Sequence, residues 1–254
     1  MGTARTVWGQ AWRIGALVVL CFAALQATFA LRIALMNVLD PQSTTFQRSE
    51  MWRLLSETGR IAWSQQWADY GQISPHLKRA VIASEDAGFA DHSGVEWDAI
   101  EKAWERNQRA EDRAERQNGR QKPASATRAT EVKVRGGSTI TQQLAKNLFL
   151  SGERTVIRKG QEFVITLLLE SMLSKQRILE IYLNHVEWGE GLFGAQAAAR
   201  HYFRVDASKL GPDAAARLAV MLPAPKRFEK RPGSAYVTGR AATIAARMGA
   251  VEVP

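Results

Sequence analysis

Three short stretches of this 254-residue chain hold side chains that could do bond chemistry together. Glu85, next to Asp86, ends an apolar-periodic run and precedes a small-residue break at Ala87-Gly88. A carboxylate placed there can face an opening and take a proton from an attacking hydroxyl. The same pair also suits an ordinary solvated helix end. Arg135 to Asn147 reads RGGSTITQQLAKN, in which two glycines feed a helix capped by Ser138 and leave backbone N–H groups for an anion. In that helix Gln142 and Lys146 are four apart, as are Gln143 and Asn147, so amides and an ammonium share a face. A plain capped helix with a polar face explains the string equally well. Arg154, Arg158 and Glu162 follow at four-residue steps, each about 6 Å along a helix. Two cations and a carboxylate then form one stripe, whose bland reading is an exposed Arg158 to Glu162 ion pair. A base on one side and cations on the other equip a site to displace an anionic leaving group.

The elements that must carry these groups read as helices. Ile73-Ser74-Pro75 predicts a helix start, with Ser74 as N-cap and Pro75 at the first helical position, running through Leu77, Val81 and Ile82 towards Glu85. Ile140, Leu144 and Leu148 continue the helical spacing. So do the runs from Arg154 to Leu173, Gln176 to Val186, Ala195 to Tyr202, Asp213 to Leu222 and Ala235 to Met248. No alternating strand pattern of convincing length appears, and the predicted fold class is mostly α. Gly189 to Gly194 matches the dinucleotide-binding GxGxxG string, but RILEIYLNHVEW before it has helical spacing, which argues against such a site. Phe46 to Trp67 mixes tryptophans and leucines with basic residues, a helical segment that either rests on lipid headgroups or packs as a core helix.

Ile14 to Leu31 carries no charge and is about long enough to cross a bilayer. Arg5 and Arg13 precede it, which favours an N-in orientation. A cleavable signal peptide is the rival, but apolar character resumes at Ile33 to Leu39 and makes the segment long for one. The expected organisation is a cytoplasmic N-terminus at 1–13, an anchor at 14–36, a linker and membrane-proximal region at 37–71 and the functional domain at 72–254. Between Glu101 and Arg135 ten basic residues face six acidic ones with almost no large apolar side chain, so a charged insertion at about 106–133 contributes little core. The net charge of +9 and pI near 10.0 call for an anionic partner. Cys21 is the single cysteine, which excludes an intrachain disulfide and a cysteine-based zinc site, and the four histidines are too scattered for a metal site.

Taken together the strings resemble the family of peptidoglycan glycosyltransferases, found alone or fused to penicillin-binding transpeptidases. EDxxFxxHxG is met at Glu85 to Gly94, GGSTITQQLxKN at Gly136 to Asn147 and RKxxE at Arg158 to Glu162. KxRILExYLNxxxxGxGxxGxxxAAxxYF is met at Lys175 to Phe203, and LAxxLPxP at Leu218 to Pro225. The chain is similar to the monofunctional members of Gram-negative bacteria. The resemblance implies a lysozyme-like helical lobe with a smaller membrane-apposed lobe, behind one N-terminal transmembrane helix in the inner membrane and with the catalytic domain in the periplasm. It implies lipid II and the lipid-linked glycan strand as substrates, Glu85 as general base and Glu162 as a supporting carboxylate. Lys146, Arg154 and Arg158 fall on positions near the donor pyrophosphate, and Ser138, Gln142 and Gln143 line the same cleft. No cofactor is required by the pattern, though a divalent cation such as magnesium could assist at the pyrophosphate. Expected partners are the membrane and other wall-synthesis or division proteins, with no nucleic acid. The spacing between the first two motifs exceeds the family's usual length, and Asp213 and Ala224 stand where glutamate and asparagine are common. A lysozyme-like hydrolase or lytic enzyme, or an inactive wall scaffold, are the alternatives. The cationic row, useless on a neutral glycan, argues against the first.

Overall fold

The computed structural model describes residues 2–97, 101, 108, 138–153 and 155–254. Of the insertion expected at about 106–133 only Gln108 is among them, and Arg154 and the Gly136-Gly137 pair also lie outside the described residues.

The architecture is mostly α. Helix α1 (Gly2–Leu35) is continuous across the expected boundary at 13/14. Its span Trp12–Leu35 has 24 residues, about 36 Å of helix against a hydrocarbon core of about 30 Å. The apolar window within that span is left unburied by the rest of the fold, which makes α1 a membrane anchor by length, composition and exposure. Its far end belongs to the domain: Ile33 and Met36 are buried in the core, and Phe29 meets Phe149 edge-on at 5.3 Å.

Region 37–71, expected as a linker and membrane-proximal region, carries a helix and a strand that pack on the domain. Helix α2 (Thr45–Thr58) has Thr44 as N-cap in a capping box with Gln47, both side chains fully buried. Glycine ends it: Gly59 takes the left-handed conformation with φ 67°. The helix expected through Trp67 therefore stops at Thr58, and β1 (Ser64–Gln65) follows in extended backbone. The apolar periodicity past Gly59 belongs to a segment that packs on the domain, with Trp63 stacked on Phe193 at 4.5 Å.

Helix α3 (Pro75–Glu85) starts on the Ser74 cap with Pro75 in its first turn, as the spacing predicts. Then come α4 (Ile140–Phe149), α5 (Val156–Met172) and α6 (Lys175–His185). The GxGxxG string forms a hairpin of β2 (Glu187–Gly189) and β3 (Leu192–Phe193), with β1 joining β3 in parallel to give the order β1-β3-β2. Pieces this short escape a periodicity test, which is why the sequence shows no strand. A helix precedes the string and its glycines serve the hairpin, so the dinucleotide reading falls. Helices α7 (Ala195–Phe203), α8 (Pro212–Met221), α9 (Pro225–Phe228) and α10 (Ala235–Ala245) complete the chain. Helices α3, α8 and α10 pack together, α1, α2, α4 and α5 form a second group, and α6 touches α4, α5 and α7.

Candidate active site

Glu85 and Asp86 sit side by side at the end of α3 and do different work. Asp86 is buried, and its Oδ2 accepts the Ile140 N–H at 2.9 Å. Its Oδ1 holds His92 Nε2 at 2.8 Å. Because His92 Nδ1 accepts the Gly94 N–H at 3.1 Å, the proton between His92 and Asp86 belongs to Nε2. The Asp86 carboxylate raises the His92 pKa above its ordinary value, against the opposing effect of burial. Asp86 and His92 lie close to Glu96, but Asp86 is committed to Ile140 and both His92 nitrogens are engaged, so this cluster is a brace.

That brace sets the first turn of α4 against the end of α3. The cap of α4 is Thr139, in a box with Gln142, rather than the expected Ser138. Thr139 Oγ1 also donates to the Gly94 carbonyl at 2.7 Å, which ties the loop after α3 to the cap. Ser138 stands one position earlier and lines the cavity. Gln142 spends its amide oxygen on the cap at 3.3 Å and reaches the cavity with what remains.

Gln143, one residue on, is the contact with Glu85. Its Nε2 donates to Glu85 Oε2 at 3.0 Å, and its Oε1 accepts from Tyr182 Oη at 3.0 Å. Tyr182 is 1% exposed, so this chain of bonds is anchored in the core. Burial lifts the Glu85 pKa above the ordinary glutamate value, and the bonds from Gln143 and Ser84 pull it back only in part. The phenol of Tyr182 is pushed well up by burial and by the neighbouring Glu85 and Asp86 charges, so it stays protonated as a donor.

On α5, Glu162 is 4% exposed and each of its oxygens meets a cation. Arg158 Nη1 donates to Oε2 at 2.9 Å and Lys159 Nζ to Oε1 at 2.5 Å. The expected Arg158 to Glu162 pair is therefore real, but it lies in a buried wall instead of an exposed face. Arg158 Nε is buried without an acceptor among the described residues, a donor that a bound anion would satisfy.

These groups surround one cavity of about 500 Å³. Glu85, Ser138, Gln142, Gln143 and Lys146 line it from α3 and α4, and Arg158, Lys159 and Glu162 from α5. Seven of the eight site residues expected from sequence are thus brought together, the eighth, Arg154, being outside the described residues. Sequence reasoning missed Lys159, although it is the second letter of RKxxE, and read Tyr182 only as part of a helical period. It also missed the apolar rim of Phe46, Leu222 and Pro223. Trp188, fully buried, donates to the Leu218 carbonyl at 3.1 Å and fixes α8, whose end delivers Leu222 and Pro223.

A magnesium ion needs an octahedral set of oxygens. The carboxylates lining the cavity among the described residues are Glu85 and Glu162, and the second has both oxygens on cations. The donor set does not fit a protein-held ion.

The family model described as Transglycosylase matches residues 53–249. A protein of Paraburkholderia phytofirmans named biosynthetic peptidoglycan transglycosylase is 50% identical over 241 residues, which cover 95% of this chain and 92% of its own. Proteins of the same name from Burkholderia pseudomallei and Burkholderia multivorans are similar. The first is 52% identical over 91% of this chain and 82% of its own, the second 49% identical over 100% and 97%. The family match begins inside α2 and runs past α10, taking in every described lining residue of the cavity except Phe46: the chain belongs to the transglycosylase family.

Proposed function

We propose that this protein polymerises peptidoglycan glycan strands by transferring the lipid-linked growing strand onto lipid II. Glu85 takes the proton from the 4-hydroxyl of the acceptor GlcNAc as that oxygen attacks the anomeric carbon of the donor MurNAc. The new C–O bond forms opposite the breaking one, so the linkage inverts to β-1,4. The electron pair of the broken bond leaves with undecaprenyl pyrophosphate. Lys146, Arg154, Arg158 and Lys159 meet that charge, and Glu162 orients the last two.

The observation that carries this reading is the placement of Glu85 and the Arg158–Lys159–Glu162 group on one cavity. Proton affinity raised by burial makes Glu85 a stronger base towards a hydroxyl than an exposed glutamate. Preorganised cations stabilise a departing pyrophosphate without moving at the moment of reaction. A hydrolase of neutral glycan would have no use for them. We further place the anchor in the bacterial inner membrane, N-in, with the catalytic domain in the periplasm and other wall-synthesis or division proteins as neighbours. The test is to incubate detergent-solubilised protein with labelled lipid II alone, with and without moenomycin. Lengthening strands that the inhibitor blocks are expected, whereas shortening of finished sacculi, or no product, would overturn the assignment.

A further inference from the structure

A second cavity, of about 260 Å³, lies where the anchor meets the domain and shares no lining residue with the catalytic one. Its walls come from the last turn of α1, the connection after it and the first turn of α2, and include Arg32, Leu35, Leu39 and Arg48. Arg32 holds its guanidinium 5.0 Å above the Phe149 ring. Arg48 donates to Ser43 Oγ and to Thr45 Oγ1, both at 3.0 Å. Both arginines are exposed, and neither forms an ion pair among the described residues. The one acid lining this cavity, Asp40, is paired with Arg177 at 2.7 Å. Two guanidiniums therefore face a pocket whose own carboxylate is committed elsewhere.

Depth decides what such a pocket meets. The membrane-crossing span ends at Leu35, so Arg32 stands one turn inside it, where a long cationic side chain reaches the headgroup layer. Leu35 and Leu39 are 45% and 58% exposed on the same cavity. Paired guanidiniums match the oxygens of a phosphodiester, and the apolar wall beside them suits an acyl chain. A free phosphate would use the first feature and waste the second.

We propose that this cavity binds an anionic phospholipid, with its phosphodiester on Arg32 and Arg48 and an acyl chain along Leu35 and Leu39. The site goes beyond glycosyl transfer and does not rest on that reading. It abuts the C-terminal end of α4, because Arg32 stacks on Phe149 and Thr45 donates to the Leu148 carbonyl at 2.9 Å.

The test uses the full chain in micelles doped with equal phosphatidylglycerol and phosphatidylcholine, with the retained lipid read by native mass spectrometry. Phosphatidylglycerol is expected to be enriched on the protein. Since one cation beside an anionic headgroup is worth about fivefold in partitioning, Arg32→Gln with Arg48→Gln should lower the enrichment by up to about 25-fold. A control of equal charge, Arg240→Gln with Arg247→Gln on the exposed surface of the C-terminal region, should retain it. Equal loss in both double variants would mean diffuse attraction and overturn the site, as would an absence of enrichment in the unaltered chain. Displacement of the lipid by millimolar inorganic phosphate would assign the arginines to the free ion and overturn the lipid.

Discussion

Burial takes water from Glu85, and Gln143 and Ser84 return only part of the stabilisation of its charge, so the carboxylate holds its proton more tightly than an exposed glutamate. A base of this kind works only when ionised, so polymerisation should fall as pH drops through the raised pKa. Gln143→Ala removes a hydrogen bond that favours the charged form, and the acid limb of the rate profile should move to higher pH. A limb that stays put or moves down would show that Gln143 does not hold Glu85. Glu85→Gln keeps the shape and removes the base. Turnover of lipid II should drop by about 10² to 10⁴ while equilibrium binding of lipid II to the variant changes little, and a variant with unchanged turnover would remove Glu85 from the mechanism. Glu162 differs in kind, because both its oxygens are spent on Arg158 and Lys159. In the proposed mechanism it holds those cations in place.

Elements bring these residues together through a few bonds between their ends. Asp86, the C-cap of α3, accepts the first N–H of α4, and Thr139 caps α4 while reaching back to Gly94. Glu85 meets Gln143 because these bonds fix one helix end against another. The hairpin of β2 and β3 plays the same part for α2. Gly191 has φ 67°, and a Cβ there would lie 1.9 Å from the Ala62 carbonyl oxygen that precedes β1. Gly191→Ala should therefore destabilise the fold by about 2 to 4 kcal/mol, from left-handed strain and overlap together. Thermal unfolding of the variant in detergent should reveal it as a lower midpoint, whereas Gly152→Ala, with open space at its Cβ, should melt close to the unaltered protein.

The molecule as a whole is an enzyme domain continuous with its anchor. Gln26 in α1 and Gln161 in α5 exchange two amide hydrogen bonds, of 2.9 and 3.0 Å, and Gln161 precedes Glu162. Past them, Ile33 and Met36 enter the core, and Arg177 donates to the carbonyls of Met36 and Leu39. A chain beginning near Arg32 keeps those core contacts and should melt close to full length. One beginning at Ser43 loses them and should be less stable by about 2 to 5 kcal/mol, the cost of emptying a buried aliphatic site. Equal melting of the two truncations would mean that the anchor is a tether and nothing more.

Much of this was legible in the residues. Helical periods located α3 to α8 to within a few residues, and Ser74-Pro75 marked the start of α3, because caps and apolar spacing are local physics that a sequence writes directly. The chemistry-bearing letters were legible for the same reason, as types at fixed spacing. What no spacing could give was which partner each would find. Thr139 rather than Ser138 caps α4 because Asp86 and Gly94 hold that turn from outside, and Arg158 and Glu162 pair in a buried wall because α4 packs against the α5 that carries them. Strands of two or three residues, and a core tyrosine bonded to a catalytic-site amide, have no periodic trace. Their positions follow from packing between segments more than a hundred residues apart, such as Ser64 beside Leu192, and only the folded chain decides them.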